Sequence, residues 1–396
     1  MDLKLAVISH QSLSTLGGIS VHIRQLAEAI VKLGVDVEVI APAYSKVADS
    51  SSYSFKLAPI LVGSRLQTMR TLEYSYKVYK YLLENRRRFD AVHGSQWSML
   101  LPCLKKHEIG LPMITKFHGT FFHGVVNTMI YETRHWLFNE AGEALALPIY
   151  TYIESTCARK SDGIICISKS VKKEALSLSY CNCGREMRVI YNGVDPERFK
   201  PFDYDGIHEV YGVNEGDRVV LYVGLLQPRK GVHHLIKVVR RMLKEYPKLK
   251  VLIAGKGEKR YTNYLHRIAK PKDRFKFLGK APHDRLPELY NLAEVCVMPS
   301  IYEPLGNVAL EAMACGKPVL AGNTGGLREI IIQGKTGFLL SINNMEKDII
   351  YYLSLLFNDD HLRKSIGRNA RKYVETSFSW RRTAEMTIKF IEELLS

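Results

Sequence analysis

The chain has 396 residues, of which 46% are hydrophobic and 24% are charged. This is ordinary globular composition, and the length suits two domains of about 200 residues each. No apolar run approaches the roughly 20 residues that a membrane-spanning helix needs. The chain has seven cysteines, an odd number that favours a reducing compartment over a disulfide framework. We therefore expect a two-domain cytoplasmic protein.

The formal net charge is +16, and no basic tail concentrates it, which argues against a nucleic-acid partner. The segment with the highest density of basic residues is 65–88, on and just after a predicted helix, where tyrosines alternate with Lys and Arg. Its basic members are Arg65, Arg70, Lys77, Lys80, Arg86, Arg87 and Arg88. This segment indicates either a solvated helix face or a peripheral contact with an anionic membrane or a polyanionic acceptor, at the inner face of the cell membrane.

In the first half of the chain, short apolar strands alternate with helices, as a doubly wound sheet requires. Strands are predicted over residues 4–9, 35–41, 91–93, 113–117, 163–168 and 188–191, and helices over 21–33, 66–85 and 125–158. The first strand is followed by Gly17 and Gly18, which allow either a tight turn or close approach of a sugar or phosphate. His118 follows the strand 113–117, and its glycine neighbour favours a functional role.

The alternation restarts after a polar, turn-rich stretch between residues 196 and 216. Strands are predicted over 219–223, 250–254, 275–278, 295–298 and 318–321, with a helix over 231–246. An amphipathic helix follows Trp380 and runs to Leu395. The pattern predicts an α/β protein with two Rossmann-like doubly wound domains, residues 1–200 and 201–378.

Two carboxylates, Glu303 and Glu311, flank a predicted helix N-terminus. The helix is expected to begin near Leu305, so that Glu303 lies on the preceding loop and Glu311 about two turns inside. Open α/β sheets bind ligands at the carboxyl ends of their strands, and a helix N-terminus attracts phosphate. We predict a phosphate near Gly306 and Asn307, with a carboxylate on either side for sugar hydroxyls.

The loop after the strand 219–223 carries Arg229 and Lys230 at the start of the next helix. Transfer of a sugar from a nucleotide requires neutralisation of the departing diphosphate, by a metal ion or by fixed cations and N–H dipoles. Lys230 and Arg229 favour the fixed-cation route. We therefore expect no metal and no cofactor.

The segment Glu-Pro-Leu-Gly-Asn-Val-Ala-Leu-Glu-Ala-Met-Ala-Cys-Gly-Lys-Pro-Val, residues 303–319, closely resembles the retaining glycosyltransferases of the GT-B fold, within family 4 of group 1. The resemblance covers nearly the whole chain and is weakest over residues 44–180. It implies two domains that face each other across a cleft, with helix 379–396 returning to the first, acceptor-side domain. It further implies transfer of a hexose, with retention, from UDP-glucose, ADP-glucose or GDP-mannose to a glycan, lipid-linked or small-molecule hydroxyl.

The resemblance also implies roles for individual residues. Glu303 and His118 contact the donor sugar, Glu311 holds the ribose, and Lys230 pairs with the diphosphate. The remaining donor-binding positions are Gly17, Gly18, Gly255, Gly257, Leu305, Gly306 and Asn307. The candidate acceptor contacts are His93, Trp97 and His123. One position departs from the family pattern: Leu225 replaces an arginine that contacts the diphosphate, and Arg229 is the nearest cation that can substitute for it.

Two other functions remain open from the residues alone. A sugar-nucleotide epimerase of the same fold would release its product without an acceptor. A non-enzymatic polyanion-binding protein would bind in a strongly salt-dependent way, as the sequence pI near 9.4 permits.

Overall fold

The computed structural model describes residues 3–13, 18–44, 53–64, 66–131, 137–178, 180, 186–202 and 206–396. Gly17, Arg65 and the pair Cys181 and Cys183, which are the closest cysteines in the sequence, lie outside the described residues.

Within the described residues, the first sheet has seven parallel strands in the spatial order β3-β2-β1-β4-β5-β6-β7. The strands are β1 Lys4–Ile8, β2 Asp36–Ala43, β3 Lys56–Leu61, β4 Ala91–Ser95, β5 Met113–Phe117, β6 Gly163–Cys166 and β7 Glu186–Val189. The strand order reverses between β1 and β4, which are direct neighbours. Ligands of open α/β sheets bind outside the strand ends at such a reversal.

The second sheet, in the part of the chain that the structure describes, has six parallel strands in the order β10-β9-β8-β11-β12-β13. They are β8 Arg218–Val223, β9 Leu249–Ala254, β10 Phe275–Gly279, β11 Val295–Met298, β12 Val319–Gly322 and β13 Gly337–Leu340. Here the order reverses between β8 and β11. The loop after β8 carries Lys230 and the loop after β11 carries Glu303, so both predicted residues follow the two strands at the reversal.

The helices of the described residues alternate with these strands. They are α1 Gly18–Lys32, α2 Gln67–Asn85, α3 Leu100–Leu104, α4 Lys106–Ile109, α5 Phe121–Tyr131, α6 Leu137–Lys160, α7 Lys169–Ser177, α8 Ile207–Val210, α9 Val232–Met242, α10 Lys259–Ile268, α11 Leu286–Leu292, α12 Asn307–Ala314, α13 Leu327–Ile330, α14 Met345–Asn358, α15 Asp360–Ser377 and α16 Trp380–Leu395. Strand–helix alternation with two parallel sheets confirms the predicted α/β class and the two Rossmann-like domains.

Internal contacts divide the chain into two compact units. Unit 1 comprises Met1–Val125, Phe138–Asn192 and Trp380–Ser396, and unit 2 comprises Val126–Leu137 and Gly193–Ser379. The division therefore falls at Gly193, a few residues before the predicted boundary at residue 201. The last helix, α16, packs on α1 within unit 1.

Each unit has an apolar core formed by its sheet and the helices that cover it. In unit 1, one face of the sheet packs against α1 and α16 and the other against α2, α3 and α6. In unit 2, strand side chains such as Val297 and Ile253 pack against α9 and α14. Burial on both faces explains why the strands are almost continuously apolar.

Within the described part of the segment 65–88, several charges and phenols are bound by neighbouring groups of unit 1. Lys77 forms an ion pair with Glu73 at 2.7 Å, and the Arg86 guanidinium donates to the Glu108 carbonyl at 2.7 Å. Tyr74 is buried and donates to the Ile40 carbonyl. These contacts reduce the basic surface that is open to an anionic partner, and the predicted membrane contact stays a prediction. No helix of the described residues is long and apolar enough to cross a bilayer.

Candidate active site

The helix between the two carboxylates, α12, begins at Asn307 rather than near Leu305 as predicted. Gly306 precedes it with φ of 104°, a left-handed conformation that glycine adopts readily, and Leu305 is buried. Glu311 is consequently just over one turn inside the helix, and the expected distance of about two turns was wrong. The first N–H groups of a helix have no acceptor within it, so the Gly306–Asn307 end can receive an anion.

Glu303 lies on the loop after β11 and forms an ion pair with Lys230, with 2.5 Å between Nζ and Oε2. The two side chains are only 14% and 21% exposed. Burial lowers the pKa of Lys230 below its ordinary value, and the Glu303 carboxylate partly offsets this. Two residues that are 73 positions apart in sequence thus meet in one small, partly desolvated volume, where electrostatic interactions are strong.

Backbone contacts fix the loops that carry this pair. The Ile301 N–H donates to the Arg229 carbonyl at 2.9 Å, and the Gly326 N–H donates to the Glu303 carbonyl at 2.9 Å. A β-carbon on Gly325 would lie 1.8 Å from the Glu303 carbonyl oxygen, so the loop after β12 can approach only because that residue is glycine. Gly325 therefore has a specific steric role beside Glu303.

Glu311 is buried, and both of its oxygens have partners within unit 2. His283 Nε2 lies 2.9 Å from Oε1, and the Tyr290 hydroxyl donates to Oε2 at 2.8 Å. These contacts orient the carboxylate before any ligand arrives. Neither His283 nor Tyr290 was predicted, because a polar residue in a helix or turn carries no sequence signal for a partner 28 or 21 positions away.

Gly255 and Gly257 lie on the loop after β9, beside the loop after β8. A β-carbon at either position would lie within 2 Å of a carbonyl oxygen, that of Gly224 or that of Leu226. The Leu226 N–H donates to the Lys256 carbonyl at 3.0 Å, which ties the loops together. Packing of these two loops therefore accounts for both glycines, and their contact with the nucleotide stays a prediction.

Leu225, at the position of the missing family arginine, is 49% exposed. Arg229 lies in the 3₁₀ turn Pro228–Lys230 and is half-buried next to Lys230, whose pKa its charge helps to lower. The structure therefore brings Arg229, Lys230 and Glu303 together. Whether Arg229 contacts a diphosphate stays a prediction.

In unit 1, His118 directly follows β5 and is half-buried. Its Nε2 atom has no hydrogen-bond partner among the described residues. Its backbone N–H donates to Gln96 Oε1 at 2.8 Å. The Gln96 side-chain amide in turn donates to the carbonyl of Gly119, so that Gln96 binds the backbone of both residues. Burial, followed by the charges of nearby bases, lowers the pKa of His118 well below its ordinary value. A neutral imidazole on a clamped peptide suits hydrogen bonding rather than charge neutralisation.

Behind this peptide, the buried Glu154 carboxylate accepts hydrogen bonds from Gln96, from the Trp97 indole and from the Phe121 backbone N–H. Tyr180 donates to its other oxygen. Burial raises the pKa of Glu154 to about 7, although these donors act in the opposite direction. Trp97 uses its indole N–H within unit 1, and its contact with the acceptor stays a prediction.

Two further predicted acceptor contacts have partners or burial of their own. His123 Nδ1 lies 2.8 Å from the Thr120 hydroxyl, and His93 is buried in β4. Gly18 is the first residue of α1, and open space surrounds the position of its absent β-carbon. Among the described residues, no three His, Cys, Asp or Glu side chains are grouped as metal ligands; the metal-independent reaction stays a prediction.

Comparison with known proteins agrees with this geometry. Residues 203–373 match the family model "Glycosyl transferases group 1", and residues 16–198 match "Glycosyltransferase Family 4". An uncharacterized glycosyltransferase of Methanocaldococcus jannaschii is 29% identical over 385 residues, which cover 94% of this chain and 93% of that protein.

Solved structures show the same fold. Sucrose-phosphate synthase of Thermosynechococcus elongatus superposes with a TM-score of 0.83 at 21% identity, over 99% of both chains. The Anabaena HepE protein in complex with UDP-glucose gives a TM-score of 0.75 at 20% identity, over 98% of this chain and 99% of that one. The chain belongs to the group 1 glycosyltransferases and has the GT-B fold.

Proposed function

We propose that this glycosyltransferase moves a hexose from a nucleoside-diphosphate sugar to a hydroxyl acceptor, with retention of configuration and without a metal ion. The observation that carries the proposal is the Lys230–Glu303 pair, partly desolvated and joined by backbone bonds to the loop that precedes α12. It provides a cation for a diphosphate and a carboxylate for sugar hydroxyls at the sheet edge where α/β proteins bind ligands.

In the proposed complex, the diphosphate lies at the N-terminal end of α12, near Leu305, Gly306 and Asn307, and contacts Lys230. Helix N-termini and ammonium groups both favour negative charge that increases as the bond to the sugar breaks. Glu311, already oriented by its partners, accepts hydrogen bonds from the ribose hydroxyls. Arg229 supplies the second positive charge that Leu225 lacks.

His118 and the backbone at Gly18 are further proposed to form hydrogen bonds with the donor sugar, as the family resemblance implies. No covalent nucleophile is assigned. The departing phosphate is proposed to accept the proton of the acceptor hydroxyl on the same face of the sugar, which retains the anomeric configuration. The family assignment favours this transfer over the epimerase and polyanion-binding alternatives.

The printed names of similar proteins support a nucleotide-sugar donor: the HepE structures contain UDP or UDP-glucose, and a starch synthase structure contains ADP. The test is a thermal-shift screen of UDP, ADP and GDP, because a bound ligand raises the unfolding temperature. Turnover of the matching sugar nucleotides follows, with EDTA present and with the product anomer identified by NMR. No response to any nucleotide, complete loss of turnover in EDTA, or an inverted product contradicts the corresponding part of the proposal.

A further inference from the structure

Unit 1 contains a group of buried basic side chains without partners, which we call the basic cluster: Lys116, His93 and His22. Each of these residues is only 1% exposed. Lys116 Nζ and both ring nitrogens of His93 and His22 have no hydrogen-bond partner among the described residues. Burying unpaired polar nitrogens is unfavourable, and native proteins seldom tolerate it without a reason.

The parallel register explains why these side chains converge. His93 of β4 pairs with Ile114 of β5, and Lys116 is two residues further along β5. Residues two apart on a strand share a face of the sheet, so Lys116 and His93 project to the same side. Ile114 packs in the core beneath α1, and His22 is buried on α1 itself.

The basic cluster lies in a part of the sheet near which open α/β proteins bind ligands. The cluster lies on β4, β5 and α1, and β4 and β1 are the strands at which the order of the first sheet reverses. His22 is about one turn from Gly18, where α1 begins, and the N-terminal end of a helix is favourable for anions. His118 directly follows β5 and is half-buried, and its ring centre is 5.0 Å from that of His22. His118 therefore lies between the carboxyl end of β5 and the basic cluster.

The described residues provide no carboxylate that would stabilise a positive charge in the basic cluster. Among the described residues, no Asp or Glu forms an ion pair with Lys116. Burial lowers the pKa of Lys116 to about 7, and burial followed by the charge of Lys116 lowers the pKa of His93 to about 3. Burial, followed by the charge of Lys116, also lowers the pKa of His22 well below its ordinary value. An anion among these groups would supply the missing charge and the missing hydrogen-bond acceptors.

We propose that Lys116, His93 and His22 form a binding site for an oxyanion, a phosphate or carboxylate group carried by the acceptor. The identity of the ligand as an acceptor rests on the proposed function. The donor diphosphate is assigned to unit 2, where α12 and Lys230 provide for it, so the basic cluster is available to a different anion. A metal ion is a poor alternative because Lys116 would place a positive charge beside it.

The test measures the unfolding temperature of the full chain in inorganic phosphate, with chloride at equal ionic strength as the reference. Phosphate at ten times its dissociation constant should raise the temperature by about 2 °C. Lys116→Met should lose this increment, and its apparent affinity for phosphate should fall at least about tenfold. The matched surface variant Lys173→Met should keep the increment, since Lys173 is exposed in the same unit. Acetate in place of phosphate tests the carboxylate form.

The Lys230→Met variant separates this site from the donor site. The phosphate increment should persist in Lys230→Met and in wild type saturated with the nucleoside diphosphate that binds. An increment that survives in Lys116→Met, or that the nucleotide abolishes, overturns the proposal, as does the absence of any increment over chloride with both phosphate and acetate. Failure of the proposed function would look different: the Lys116-dependent phosphate response would remain while no nucleotide binds or turns over.

Discussion

Replacement of Lys230 by methionine is the sharpest test of the proposed donor site. Methionine keeps most of the apolar stem of the side chain and removes only the charge. If Lys230 contacts the diphosphate in the transition state, its loss should reduce kcat by about 10²–10³-fold, the effect of removing one such contact, or about 2.7–4 kcal/mol. Affinity for the nucleoside diphosphate should fall, while affinity for the nucleoside alone should not.

The same substitution also breaks the Lys230–Glu303 pair, and the stability effect can be separated from the kinetic one. Removing one partner of a fully buried pair costs about 3–5 kcal/mol, and an exposed pair is worth about 0–1 kcal/mol. With 14% and 21% of the two side chains exposed, we expect about 1–3 kcal/mol in the free energy of unfolding. Adding Glu303→Gln should recover part of this, because no unpaired carboxylate then remains.

The assay is single-turnover transfer with saturating donor, with unfolding followed by circular dichroism. Lys237→Met is the control, since Lys237 lies on α9, is half-buried and is 3.9 Å from the Glu346 carboxylate. It should retain nearly normal kcat. A Lys230→Met enzyme that is less stable but turns over at a normal rate would show that the pair is structural, and it would remove Lys230 from the site.

Three further predictions follow from the local electrostatics. Lys230 must be protonated to contact a diphosphate, and its pKa is lowered. As pH rises, kcat/KM should therefore begin to fall at a pH below the ordinary pKa of lysine. Lys230→Arg should move that fall to higher pH. His283→Ala should raise KM for the donor more than it lowers kcat, because it loosens Glu311 without removing it; an unchanged KM would contradict this role. For Lys116, the folded pKa of about 7 is below the unfolded value, so the folded state binds fewer protons between about pH 7 and 10.4 and stability should rise with pH there. Relative to Lys116→Met, the gain in the free energy of unfolding over this range is up to about 5 kcal/mol, and parallel stability profiles of the two proteins would refute it.

Much of the secondary structure could be predicted because burial on both faces makes strands apolar. The strands 113–117 and 295–298 were predicted with the bounds that the structure has. Among the strands that the structure describes, the sequence did not predict β3 and β13. The first contains Pro59 and the second begins with Gly337, residues that weaken a strand pattern. Both are edge strands, where such residues are tolerated because one side of the strand is unpaired.

By itself, the sequence determined the fold class and the family, because local periodicity and the Glu303–Val319 segment are both contiguous along the chain. Tertiary structure decided which distant residues meet. The Lys230–Glu303 pair depends on β8 and β11 being neighbours, the orientation of Glu311 depends on His283 and Tyr290, and the basic cluster depends on strand register. Hydrogen bonds and ion pairs act over a few ångströms in space. The number of residues between two positions does not determine how far apart their side chains lie in the folded protein.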